Sequence, residues 1–149
     1  MPLIIGSNKD EATLFSIADP KFAAMTEDDA RARFTAMLKG RADKAFAFYR
    51  EQRPAEQPTW LVTSMMTESG TWINSIRLAE RKAAQGQAPV FMYRLDYETP
   101  IFGGILRSPH GLDTPMIFAI VLSPPVRLTV TLIARTPGAG EPPVSVLTH

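Results

Sequence analysis

Three observations predict an α/β fold. Leu3 to Ile5 is a short apolar run closed by Gly6, which reads as a buried strand of a parallel sheet. Ala30, Phe34, Met37 and Leu38 recur at helical spacing, and Pro89 to Tyr97 carries Val90, Phe91, Tyr93 and Tyr97, the β-branched and aromatic content of another strand. Strands on either side of a helical middle define the class.

Taken in order, the first strand delivers Asp10 and Glu11 just past its carboxyl end. Open α/β sheets bind their ligands in the crevice beyond that end, so the position suits a site residue. Thr26 is a good N-cap, followed by Glu27, Asp28 and Asp29 where the helix dipole favours negative charge. Gly40 is the expected stop of that helix, and Lys44 to Arg50 adds a further helical stretch that ends before Pro54. After a polar connection from Pro54 to Pro58, Leu61, Met65, Trp72, Ile76, Ala79 and Ala83 fall near one helical face, with Gly70 as a kink and Gly86 as the stop. Beyond the second strand, Thr99-Pro100 and Gly103-Gly104 turn the chain outward into a loop that presents His110. Pro115 to Ile120 is expected to begin a helix, since Pro is tolerated in a first turn. Val126 to Ile133 alternates like a strand, and five of the 13 prolines fall at or after Pro124. The expectation for residues 119–149 is a divergent, poorly ordered tail or a strand recruited to a sheet edge.

The composition narrows the function. Hydrophobic residues make up 45% and charged residues 21%, a globular balance with material for one sizeable core. A net charge of +1 gives no field for nucleic acid or an anionic membrane, and no apolar run reaches the roughly 20 residues of a membrane span. With no signal-peptide pattern at the start, the default expectation is a cytoplasmic location. Zero Cys excludes disulfides, a thiolate zinc site and a Cys nucleophile. Neither a metal-ligand spacing nor a Gly-rich phosphate loop occurs, so no metal and no cofactor is expected.

The chain has two histidines, and the other, His149, is the last residue. His110 is therefore the candidate proton carrier near neutral pH. A catalytic imidazole needs an orienting carboxylate, and Glu11 and Asp10 compete for that role. On their own, a loop His beside Pro and Gly reads more readily as an exposed polar residue, and Lys-Asp-Glu after a strand as a solvated loop.

The surrounding residues carry a resemblance. Gly6, Asn8, Asp10 and Glu11 spell G-x-N-x-D-E after an apolar strand; Tyr93, Leu95 and Pro100 fit Y-x-F/L-x-x-x-x-P; His110, Gly111 and Asp113 fit H-G-x-D/E. In this order and separation the sequence resembles the C-terminal portion of the type B carboxylesterases, the α/β-hydrolases that include cholinesterases and para-nitrobenzyl esterases. The resemblance covers Pro2 to about Phe118. It implies an incomplete α/β-hydrolase fold over residues 1–118 and a Ser-Glu-His acyl-enzyme mechanism with Glu11 as the acid and His110 as the base. The motif gives the acid role to Glu11 rather than Asp10.

The family's nucleophile sits in G-x-S-x-G on a strand-to-helix elbow, and that motif occurs nowhere in this sequence. Ser7 is flanked two residues away by Ile5 and Lys9, and Ser69 by Thr67 and Thr71. The Gly-rich oxyanion loop is absent too. The chain therefore looks like one piece of an esterase, truncated or split, with no appreciable activity alone, apolar faces exposed and a tendency to aggregate. Its expected partners are a small-molecule carboxylic ester in the intact parent and the missing N-terminal half. Two other readings stand beside it: a non-catalytic module binding a partner through an exposed sheet edge, and a small α/β domain with an accidental likeness. Asp113 reads as a helix N-cap or as an acceptor near the His loop. Phe91, Tyr93, Tyr97, Phe102 and Phe118 read as core or as acyl-pocket lining, and Trp60, Trp72 and the methionines as core.

Overall fold

The computed structural model describes residues 1–117, 128–133 and 146–148. Its sheet has the order β1 (Leu3–Asn8), β2 (Val90–Leu95), β3 (Leu128–Ile133), β4 (Val146–Thr148). β1 and β2 run parallel, with Leu3 opposite Val90 and Asn8 opposite Leu95, whereas β3 and β4 join antiparallel. A parallel pair needs a long crossover, and the helical middle supplies it. The alternation after Val126 thus becomes β3, paired along the whole of β2. Apart from β3 and β4, the segment 119–149 with the expectation of poor order there lies outside the described residues, as does Phe118.

Gly6 does not end the first strand. It lies within β1 opposite Tyr93, and a Cβ there would meet the Tyr93 carbonyl oxygen at 2.1 Å and its ring at 2.6 Å. Close packing of the tyrosine, rather than a stop, accounts for the glycine. Among the described residues β1 is also less buried than the apolar run predicts, since Ile4 is 69% exposed.

A short helix missed by the sequence reading, α1 (Thr13–Ser16), follows β1. α2 (Glu27–Leu38) opens as expected: Thr26 Oγ1 accepts from Asp29 N at 3.1 Å and the Asp29 carboxylate returns to Thr26 N, a full capping box. α3 (Ala42–Gln52) and α4 (Pro58–Thr67) pack with α2 around Phe34, Phe46, Tyr49, Leu61 and Met65. Between α4 and α5 (Ile73–Ala84), Glu68 to Trp72 forms a π-helical turn containing Gly70, where a kink was expected. The turn divides the apolar stripe in two. Leu61 and Met65 serve the helical cluster, while Trp72, Ile76, Ala79 and Ala83 cover one sheet face against Leu3, Ile5, Val90 and Met92. Among the described residues, no helix is long and apolar enough to cross a membrane.

Candidate active site

The site forms where the chain leaves β1 and where it returns after β2. Past Asn8 the backbone turns, and the Asn8 N–H donates to Glu11 Oε1 at 2.6 Å. Glu11 is 7% exposed, and its second oxygen lies 2.6 Å from His110 Nδ1. The two residues read from opposite ends of the sequence therefore meet directly, and both carboxylate oxygens are engaged.

The loop that brings His110 there is tied down at several points. Thr99 N–H donates to the Arg107 carbonyl at 2.8 Å, and the Ser108 hydroxyl donates to the Leu95 carbonyl at 2.8 Å. Asp10 N–H reaches the Ser108 carbonyl at 2.9 Å, and Asn8 Nδ2 donates to the Pro109 carbonyl at 2.7 Å. Arg107, at φ 51°, is fixed by Glu56 at 2.9 Å and by stacking 3.7 Å over the Trp60 ring. These bonds hold an irregular backbone without a regular element around it, which makes a loop residue a dependable site group.

A carboxylate on Nδ1 selects the tautomer with the proton on that nitrogen and leaves Nε2 as an acceptor. The His110 side chain is 58% exposed, so that acceptor is accessible. Phe15 lies beside the ring, 5.3 Å between centroids. Among the described residues no hydroxyl reaches the imidazole; Ser108 is engaged with Leu95, and Ser7 is buried. The contact thus leaves a histidine with one ring nitrogen held by a buried carboxylate and the other free to accept a proton.

Asp10, the rival acid, faces Ser108, whose N–H it accepts at 3.4 Å. Burial raises its pKa above the usual 3.8, against the pull of Lys9 and the Ser108 bond. Asp113 opens α6 (Asp113–Ile117) as its first residue rather than its cap. Its carboxylate accepts from the Tyr93 hydroxyl at 2.6 Å and from Asn8 Nδ2 at 3.4 Å. The sequence placed Asn8 in a motif without a role and offered Tyr93 as core or acyl-pocket lining; their meeting at Asp113 is visible only in the structure. Phe102, considered as pocket lining or core, is 77% exposed at φ 53°. Trp60 is buried, as are Met65 and Met92, but Met1 and Met37 are exposed.

On the α4 side, the end of β1 borders a cleft of about 270 Å³ lined in part by Ser7, Asn8, Arg53, Glu68, Arg94 and Arg107. Its cations are already paired: Lys9 with Glu98, Arg53 with Glu68, Arg94 with Asp96 and Arg107 with Glu56. Among the described residues, no group of three or more His, Asp or Glu side chains gathers as for a metal ion.

Helices over a small sheet, with an acid after one parallel strand and a histidine loop after the next, match an incomplete α/β-hydrolase-like fold. The chain is similar to a solved structure, the crystal structure of a carboxylesterase of Geobacillus stearothermophilus, at a TM-score of 0.61 and 32% identity. The match covers 84% of this chain and 25% of that one. The likeness supports an esterase relationship. No protein-family model matches the chain.

Proposed function

We propose that this chain is the acid-and-base part of a type B carboxylesterase, a serine ester hydrolase acting on small carboxylic esters through an acyl-enzyme. Glu11 is the acid and His110 the base. The nucleophilic hydroxyl and the oxyanion donors belong to polypeptide that this sequence does not contain. The observation that carries the reading is the 2.6 Å contact between Glu11 Oε2 and His110 Nδ1, residues 99 apart in sequence.

In this mechanism Nε2 of His110 takes the proton of the serine hydroxyl as it attacks the ester carbonyl and then returns it to the departing alcohol. Glu11 holds the ring and stabilises the imidazolium formed in between. Since removing even one triad member costs about 10⁴-fold or more in rate, the chain alone is expected to turn over p-nitrophenyl acetate no faster than its His110→Ala variant. Co-expression with a segment bearing G-x-S-x-G should give a complex whose turnover disappears in Glu11→Ala and in His110→Ala. A stable complex without turnover would favour the second reading, a binding module. The observation behind that alternative is the exposed Ile4 on β1, whose only strand partner among the described residues is β2.

A further inference from the structure

Asn8 is fully buried and bonds to Glu11 and to the residue that precedes His110. Its backbone N–H donates to Glu11 Oε1 at 2.6 Å, while its side-chain amide donates to the carbonyl of Pro109, the residue before His110, at 2.7 Å. The second amide hydrogen points to Asp113 Oδ1 at 3.4 Å, and Asp113 Oδ2 is held by the Tyr93 hydroxyl at 2.6 Å. Two acceptors, a carbonyl and a carboxylate, therefore face the NH₂ end of one amide. A flipped amide would aim its oxygen at both, so only one orientation satisfies them. The amide oxygen Oδ1 has no partner among the described residues. An unpaired buried acceptor carries a penalty, so this orientation is held by what the NH₂ group gains.

From this geometry we infer that Asn8 is the positioning residue of the pair, fixing acid and histidine loop in one register, and that Tyr93 and Asp113 act through it by locking its amide. The role rests on the reading of Glu11 and His110 as acid and base. Asn8 contacts neither ring nor reacting atoms. What it sets is the angle at which the Glu11 carboxylate meets Nδ1, and hence which imidazole nitrogen carries the proton.

The test is the tautomer ratio of neutral His110 in the 149-residue chain, read from its imidazole ¹⁵N shifts, with the His149 signals separated by comparison with His110→Ala. The wild-type ring is expected to be mainly Nδ1-protonated. Asn8→Ala should raise the Nε2-protonated share roughly fivefold, the ratio of one ordinary hydrogen bond. Asp113→Asn keeps the size of the side chain yet cannot accept from both Tyr93 and Asn8; it should shift the ratio in the same direction. Its result decides the matter if Asn8→Ala does not fold, because a change in packing alone would leave the tautomers unmoved. An unchanged ratio in a folded variant overturns the inference. Glu11→Ala separates the two levels: if it too leaves the ratio unchanged, the acid–base reading fails; if it alone shifts the ratio, only the role of Asn8 fails.

Discussion

Gly6 shows how one residue makes the site possible. Tyr93 lies opposite it with its carbonyl and ring where a Cβ would stand, and the tyrosine hydroxyl continues to Asp113. A methyl group there collides with backbone, which has little freedom to yield. Gly6→Ala is therefore expected to destabilise the chain by about 3 kcal/mol or more, measured by urea unfolding, and to separate Tyr93 from Asp113. The tyrosines also set a pH dependence. The Tyr93 hydroxyl is held above its ordinary 10.0 by burial and then by the Asp113 carboxylate, and Tyr49 likewise by burial and then by Glu68. The unfolded chain releases these protons first, so their contribution is fully present below about pH 10 and fades as pH rises from there through the folded values. The melting temperature should fall more shallowly in this alkaline range for Tyr93→Phe with Tyr49→Phe than for the wild type. Equal slopes would contradict the assignment. The meeting of Glu11 with His110 was legible because their neighbours spell motifs; the bonds of Asn8 to both segments were not, because a donor between two loops far apart in sequence leaves no periodic signal.

At the scale of the element, local chemistry was the best guide. Thr26 and Asp29 announce the start of α2, and the reciprocal bonds form as the sequence suggests. Thr26→Ala removes the acceptor for Asp29 N–H and is expected to cost about 1 kcal/mol, a lowered thermal midpoint with the fold retained. The longer apolar stripe was legible as a stripe but not as two. Periodicity counts residues per turn, and the π-helical turn at Glu68 to Trp72 changes that count once, so Met65 and Ile76 face different clusters. The boundary of α6 was misplaced for a related reason. Pro115 is a valid first-turn residue, yet the helix already begins at Asp113, whose carboxylate is drawn to Tyr93 and Asn8 instead of capping.

Over the whole molecule, the helical cluster and the sheet cluster meet through the segment that joins α4 to α5, and among the described residues β1 is left on the outside of the sheet. Its sequence from Leu3 to Asn8 carries no charge and no proline, the devices that usually guard an edge. Leu3 N–H bonds to the Pro89 carbonyl at 3.1 Å and Lys9 N–H to the Leu95 carbonyl at 2.9 Å. In a parallel ladder the bonds alternate, so Ile5 and Ser7 also face β2, while Ile4, Gly6 and Asn8 face outward. Asn8 N–H is closed off by Glu11, and among the described residues the Gly6 carbonyl accepts only a long 3.5 Å bond from the Ser75 hydroxyl. Among the described residues the outward N–H groups of Ile4 and Gly6 meet no strand. Hydrogen exchange of the chain alone should therefore be at least about tenfold faster at Ile4 and Gly6 than at Ile5 and Ser7, the protection of a modest hydrogen bond. If a complementing segment restores esterase turnover by extending this sheet, the same two amides should slow on complex formation while Ile5 and Ser7 change little. Turnover restored with Ile4 and Gly6 still exchanging freely would mean that the partner completes the site from another face and that the edge of β1 takes no part in assembly.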